Sequence, residues 1–243
     1  MKICVAQTKP VKRDIQTNIK NHKRLIDLAI VNGAKAVFFP ELSITGYEPK
    51  LSKELAANQD DKRFEVFQKI CDTKQITVGV GMPTKNDSGV LISMIIFQPH
   101  SLRQTYSKHY LHSDELPYFV NGQYPMVLKL NDHKISIAIC YELSVPEHSK
   151  NAFKEGSEIY IASVAKSVEG VQKAIQTLSE TASKYSMMVL MSNCVGHCDD
   201  FECGGKTSIW NNKGLLSGQL NDSSEGILII DTDTMDMIEK TID

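Results

Sequence analysis

An α/β fold, built as two sheets with helices on their outer faces, is what this sequence predicts. Apolar strands alternate with amphipathic helical stretches in both halves of the chain. Strand pairs joined only by short turns interrupt that alternation in the middle and in the tail. At 243 residues, with 42% hydrophobic and 23% charged residues, the chain is too apolar for disorder. A chain of this size buries roughly 70–75% of its unfolded surface and needs no staples. No repeat, low-complexity tract or linker-like stretch divides it, so residues 1–243 read as one domain.

The elements follow in order. Lys2 to Gln7 is an apolar run and the first strand. Asp14 stands where a helix N-cap belongs, with Ile15, Ile19, Ile26, Ala29 and Ile30 at helical spacing behind it. Asn32-Gly33 supplies the stop. Residues 36–39 are a buried strand that runs straight into Pro40-Glu41. Residues 64–74 carry Phe64, Phe67, Ile70 and Cys71 on one helical face. Strands are expected at 76–80, 90–97 and 102–107, the first two parted by a turn at 85–89. A polar, aromatic-rich loop spans 108–123. Strands at 126–130 and 135–139 flank an Asn131-Asp132 turn, and Cys140 stands where the second ends. After Pro146 come a helix to about residue 155, a strand at 158–162, a long helix from 167 to about 185 and a strand at 188–192. The tail holds strand-like runs at 206–210, 214–218 and 226–230.

Charge and composition exclude several classes of function. Lys and Arg number 27 against 29 Asp and Glu, for a net charge of −2, and the isoelectric point is about 6.4. That balance argues against a nucleic-acid binder that works through a basic surface. No apolar run approaches the roughly 18–20 residues that cross a bilayer. The N-terminus enters a strand pattern directly, without the apolar core and cleavage site of a secretory signal. A cytoplasmic protein is therefore expected, with no membrane or nucleic-acid partner and with its six cysteines reduced.

Three reactive side chains share one placement, immediately after an apolar strand. Glu41 follows residues 36–39, Lys108 follows 102–107, and Cys140 follows 135–139. In α/β proteins the crevice beyond the strand ends is where ligands bind. A carboxylate, an ammonium and a thiol converging there make a nucleophilic site: the thiol attacks, the carboxylate moves protons, and the cation holds the oxyanion. Each residue also has a plainer reading. A cysteine ending an apolar strand is ordinarily an inert core residue. Glu41 after Pro40 suits a helix N-terminus, and a loop lysine is ordinarily a solvated charge.

The local sequence decides between these readings. Pro40-Glu41-Leu42-Ser43-Ile44-Thr45-Gly46-Tyr47 resembles the glutamate motif of the nitrilase superfamily, the carbon–nitrogen hydrolases. Tyr106-Ser107-Lys108-His109-Tyr110-Leu111 resembles its lysine motif, and Ile139-Cys140-Tyr141-Glu142-Leu143-Ser144-Val145-Pro146-Glu147 its cysteine motif. Asn193-Cys194-Val195-Gly196, Gly205-Lys206-Thr207-Ser208 and Glu225-Gly226-Ile227-Leu228 are similar to later landmarks, so the resemblance spans nearly the whole chain. It implies a four-layer α-β-β-α sandwich. Carried over by position, Glu41 is the general base, Lys108 the oxyanion stabiliser and Cys140 the nucleophile. Glu115 is then a second glutamate orienting Lys108 or the attacking group, and the Tyr141 amide a further oxyanion donor. The implied reaction is amidase chemistry on a small amide, through a thioester and without metal or organic cofactor. The implied assembly is a homodimer.

The chain departs from the commoner pattern in two places. Glu142-Leu143-Ser144-Val145-Pro146-Glu147 lacks the usual arginine, and the long helix reads Thr181-Ala182-Ser183-Lys184-Tyr185 instead of Arg-Ala-x-Glu-Asn. A basic anchor for an acidic substrate is therefore missing there. Tyr47, Tyr118, Tyr141, Glu142 and the segment Ser163, Val164, Ala165 are expected to line the pocket; the three tyrosines with Glu142 and Glu115 favour a neutral or cationic substrate, whereas the small residues of the segment say little about specificity. Cys194, Cys198 and Cys203 stand in a Cys-x3-Cys-x4-Cys spacing without the Cys-x2-Cys knuckle of structural zinc, so no metal is expected and the thiols read as core or pocket-lining. An N-carbamoyl amine hydrolase is the alternative within the class. Outside it stand a metal-dependent phosphoesterase, in which Cys140 and Lys108 have no role, and an inactive binding protein.

Overall fold

A computed structural model describes residues 1–123 and 126–242. Strand β1 (Lys2–Gln7) leads to helix α1 (Ile15–Val31) and strand β2 (Ala36–Phe38). The short helix α2 (Ser52–Leu55) and helix α3 (Glu65–Lys74) precede strands β3 (Thr77–Asn86), β4 (Gly89–Phe97) and β5 (Gln104–Ser107). Strands β6 (Val127–Leu130) and β7 (His133–Ile139) open the second half, followed by α4 (Pro146–Lys154), β8 (Ile159–Ser163), α5 (Val168–Tyr185) and β9 (Met188–Ser192). The tail adds β10 (Val195–Cys198), β11 (Phe201–Gly204), β12 (Ser208–Trp210), β13 (Leu216–Gln219), β14 (Glu225–Asp231) and β15 (Met237–Ile242).

Two sheets result. One has seven strands in the order β15-β14-β1-β2-β3-β4-β5, the other six in the order β13-β12-β9-β8-β7-β6. The central trios β1-β2-β3 and β7-β8-β9 are parallel, as strand–helix–strand units require. Antiparallel pairs flank them.

Side-chain alternation sorts these strands into layers. From β1, Cys4 and Ala6 pack with Ile19, Ile26 and Ala29 of α1 and with Phe67 and Cys71 of α3. Its other face, Ile3 and Val5, meets Ile135, Ile137, Ile161 and Leu190 of the second sheet. The outer face of that sheet, with Ala138, Tyr160 and Met191, is covered by Ala152 of α4 and Val171, Ala174 and Leu178 of α5. The four-layer α-β-β-α sandwich is thus written in the parity of apolar positions. Among the described residues no helix is long and apolar enough to cross a membrane.

Short helix α2 has no counterpart in the sequence pattern; the other elements correspond to it, with three further differences. Strand β3 continues past Val80 through Pro83 to Asn86. Its pairing with β2 ends at Gly79, and Pro83, which has no N–H to donate, offers only its carbonyl on that side, where it accepts the Ala57 amide (3.1 Å). Strand β15 is a solvent-facing edge with Glu239, Lys240 and Thr241 exposed, so it lacks an apolar signature. The β10–β11 hairpin is the third, and it forms part of the site described next.

Candidate active site

Glu41, Lys108 and Cys140 lie just beyond β2, β5 and β7, and the folding of each loop has an identifiable cause. The Glu41 loop is laid across β3: the Phe39 and Ile44 amides donate to the carbonyls of Gly79 (2.9 Å) and Gly81 (3.0 Å). Leu42 takes a left-handed φ of 50° to make the turn. Gly81 permits this approach, because a methyl group there would overlap the Pro40 carbonyl oxygen and the Leu42 nitrogen. Gly81→Ala is expected to cost about 1–3 kcal/mol from overpacking. If Glu41 moves protons in catalysis, its displacement by ~1 Å is expected to lower kcat about 100-fold. Denaturant unfolding and steady-state rates on the same preparation check both.

The outer layer supports the same loop. His22 of α1 is 1% exposed, lies 4.1 Å from the Phe39 ring, donates from Nδ1 to the Asn18 carbonyl (2.7 Å) and accepts the Ser43 hydroxyl at Nε2 (2.9 Å). Those roles suit a neutral ring. Burial pushes its pKa down to about 4, and His148, also buried, falls to about 4 for the same reason. Both folded values lie below the unfolded one, so the stability they confer is complete above pH ~6.5 and declines as pH falls toward 4. At pH 5 the loss is expected to be about 2 kcal/mol for each histidine. Unfolding midpoints between pH 8 and 5 check this, and His22→Gln is expected to flatten the profile.

The lysine and cysteine loops are clasped together by Glu142. Its carboxylate, wholly buried, accepts the Ile139 amide (2.8 Å), the His109 amide (2.6 Å) and the Tyr106 hydroxyl (2.7 Å). His148 Nε2 lies 3.0 Å from that hydroxyl and its Nδ1 2.8 Å from the Tyr160 hydroxyl. Because Tyr106 gives its one proton to Glu142, His148 donates through Nε2 and accepts at Nδ1, again as a neutral ring. The Lys108 amide donates to Ile92 (2.8 Å) and its carbonyl accepts from Gly122 (2.7 Å). Cys140 has φ 46° at the head of a 3₁₀ turn spanning Cys140–Ser144. A non-glycine residue in that region is strained, and the surrounding structure has to hold it there.

The side chains converge. Lys108 Nζ donates to Glu41 Oε1 (2.8 Å) and Glu115 Oε1 (2.6 Å), and all three side chains are 0–2% exposed. Glu115 also accepts the Tyr47 hydroxyl (3.0 Å) and the His112 amide (2.8 Å). Glu41 Oε2 is buried and has no partner of good hydrogen-bond geometry. The Cys140 thiol is a neighbour of the same carboxylate, with its sulfur 3.9 Å from the Ala165 carbonyl.

Burial, reinforced by Glu115, raises the Glu41 pKa above the usual carboxylate range, against the pull of Lys108. Burial and the Glu41 charge push the Cys140 thiol up to about 11, although Lys166 and Lys108 oppose them. Burial disfavours the Lys108 ammonium, but Glu41, Cys140 and Glu115 outweigh it and the pKa stands above its ordinary value. The resting site therefore holds a protonated thiol, a carboxylate of enhanced basicity and a fixed cation.

A cavity of about 540 Å³ opens onto this group. Tyr47, Tyr118, Tyr141 and Ala165 stand on its wall beside Cys140 and Glu115, where the sequence places them. Ser163, Val164 and Glu142 do not. Ser163 donates to the Phe39 carbonyl (2.8 Å), Val164 lies in the helix-covered core, and Glu142 is the clasp just described. Lys50, Lys166, Asp114, Asp199, Asp200 and Phe201 also line the cavity, and sequence reasoning missed them. Asn193 accounts for one of these: it accepts the Lys166 amide (2.9 Å) and donates to Gly205 (2.7 Å), fixing the connection that carries Lys166. The only sequence signal for the others was Asp199-Asp200 between apolar flanks, a hairpin turn between β10 and β11.

The remaining cysteines divide in two. Cys4 and Cys71 are fully buried between sheet and helices. Cys194, Cys198 and Cys203 form a cluster of their own with Ala165, against Tyr47 and Phe201.

A family model described as carbon-nitrogen hydrolase matches residues 2–241. The glutamine-dependent NAD(+) synthetase of Acinetobacter baylyi is 26% identical over 253 residues, which cover 100% of this chain and 46% of that protein. The chain spans less than half the length of the NAD(+) synthetases it matches. The nitrilase of Pyrococcus abyssi is 23% identical over 248 residues, 96% of this chain and 90% of its own. A variant of the amidase from Nesterenkonia sp. AN1, with acrylamide added at its active-site cysteine, superposes with a TM-score of 0.87 at 22% identity, over 95% of this chain and 92% of that one. At that identity the likeness concerns the fold.

Proposed function

The chain belongs to the carbon–nitrogen hydrolase family, and we propose that within it the protein is a cysteine-dependent amidase acting on a small primary amide. One observation carries this reading: the Cys140 thiol lines the cavity, and the Glu41 carboxylate and the Lys108 ammonium, bound to each other, are buried beside it.

The chemistry follows from the resting charges. Glu41 takes the thiol proton as Cys140 sulfur attacks the amide carbonyl, which overcomes the poor acidity of a thiol near pKa 11. The carbonyl oxygen becomes an oxyanion facing Lys108. The Tyr141 N–H, second in a 3₁₀ turn and so without an intrahelical acceptor, donates to it as well. Glu41 returns the proton to nitrogen, the C–N bond breaks, ammonia leaves and a thioester remains. Water gives a proton to Glu41, attacks the thioester, and the acid departs as the proton returns to sulfur. Glu115, held by Tyr47 and the His112 amide, fixes Lys108 and touches no reacting atom.

Trapping tests the reading. A panel of amides is incubated with the enzyme and the intact mass is read after acid quench, alongside ammonia release. An acyl adduct on Cys140 with ammonia release, both absent in Cys140→Ala, supports the amidase. Adduct-free protein with no turnover across the panel removes its main support.

A second reading has its own observation. The cavity mouth carries Lys50 and Lys166 together with Asp114, Asp199 and Asp200, and curated relatives include glutamine-dependent enzymes. A primary amide with an ammonium and a carboxylate at its far end fits such a mouth. Within the panel, preference for zwitterionic over neutral amides selects this substrate class, and carbon dioxide release from N-carbamoyl amines selects the N-carbamoyl hydrolase instead.

A further inference from the structure

We propose that Cys194, Cys198 and Cys203 form a three-coordinate site for a soft monovalent metal ion, copper(I), immediately behind the cavity wall. The mechanism above uses none of these residues.

Geometry is the first support. The three sulfur atoms lie within 4.8 Å of one another, and the Cys198–Cys203 pair is only 3.1 Å apart. A metal bonded to three thiolates at about 2.3 Å in a plane places its sulfurs roughly 4.0 Å apart. One pair stands closer than that value and the others no farther than 4.8 Å, so small side-chain rotations form the site. The hairpin sets this up: Cys203 opposes Gly196 in the β10–β11 register, one diagonal step from Cys198.

The surroundings select the ion. The thiols are 1–4% exposed, and their packing partners are Ala165, Tyr47 and Phe201. Among the described residues no histidine or carboxylate joins the group. His197 lies on the opposite face of the hairpin, 65% exposed and paired with Glu202 at 3.1 Å. Structural zinc takes four ligands, whereas soft thiolates select copper(I), which is satisfied by fewer. On binding, each thiol that becomes a ligand releases its proton to solvent, and no electron is transferred.

The site has a place in the enzyme's architecture. Asp199, Asp200 and Phe201 connect two of the ligands and line the cavity, and Ala165 packs on the cluster while its carbonyl faces the Cys140 sulfur. Occupancy therefore ties down the cavity wall that faces the nucleophile.

The test uses the full chain carrying Cys140→Ala, so that the nucleophile cannot bind metal. Reduced, oxygen-free protein is titrated with copper(I) against bathocuproine disulfonate, and native mass spectrometry reads stoichiometry. One equivalent is expected, with thiolate-to-copper charge-transfer absorption in the ultraviolet. Cys194→Ser, Cys198→Ser and Cys203→Ser, made in the same background, are each expected to lower affinity by about 100-fold or more. The single serine variants made with Cys140 intact are checked for folding by circular dichroism and amide hydrolysis. Several outcomes overturn the proposal: no uptake against the chelator, uptake that survives all three substitutions, or a fourth ligand and tighter binding with zinc. A protein isolated two mass units light, with Cys198 and Cys203 joined and no copper uptake after reduction, overturns it as well.

Discussion

Cys140→Ala is expected to lower amide turnover by about 10⁴-fold or more, while the fold and the affinity for substrate stay close to those of the parent protein. The loss is large because no other side chain on the cavity wall can take the place of the sulfur. Glu41 and Lys108 lie behind it, 0–1% exposed and bound to each other. The fold survives because alanine keeps the Cβ of cysteine, so the left-handed backbone at φ 46° is no more strained than before. Cys140→Gly separates the two effects. It is expected to be just as inactive, yet more stable than the alanine variant by up to about 1 kcal/mol, because glycine carries no Cβ penalty at that angle. Single-turnover assays, substrate-binding calorimetry and unfolding curves on the two variants check the pair.

Lys108→Met is expected to reduce both activity and stability, and the stability loss is expected to depend on pH. Removing the ammonium takes away the oxyanion partner of the proposed mechanism, worth roughly 10²–10³-fold in kcat. It also leaves Glu41 buried without its cation, a cost of about 3–5 kcal/mol at neutral pH. In the folded variant the Glu41 pKa is raised further, because burial already raises it and the lowering by Lys108 is gone. A carboxyl group with a folded pKa above its unfolded value is most stabilising when protonated. The variant's deficit is therefore small below pH ~4.5 and grows as pH rises toward the folded pKa. Unfolding midpoints of parent and variant from pH 4 to 8 check the sign. A deficit independent of pH would assign the loss to packing alone.

The order of layers was legible in the sequence from its residue patterning, whereas Glu41, Lys108 and Cys140 were singled out only by the resemblance of their flanking motifs. Apolar runs such as residues 135–139 mark strands, and the residue after a strand end is placed at the crevice by topology. The wall of the cavity was not legible, because it is assembled by segments distant in sequence. Asp199, Asp200 and Phe201 reach it on a polar hairpin with no long apolar alternation. Glu142 illustrates the opposite error. Adjacent in sequence to the nucleophile, it reads as pocket-lining, but its side chain turns inward to collect backbone amides. The three neighbouring cysteines were legible as a group, but the meeting of their sulfurs was not. A spacing of three and four residues matches no local knuckle, and the sulfurs meet only because Cys198 and Cys203 lie diagonally across a hairpin.

The Glu142 clasp also governs how the native state opens. The His109 amide follows the ammonium and the Ile139 amide precedes the nucleophile, and both end on one wholly buried carboxylate. Neither strand end can fray without leaving a buried charge unsatisfied, so local fluctuation of either loop is suppressed until both release together. These two amide hydrogens should accordingly exchange with solvent deuterium at a common, slow rate, near that of global unfolding, while the Asp199-Asp200 turn across the cavity exchanges freely. A rigid base beneath Cys140 and Lys108 would then keep their relative position independent of movement in the opposite wall.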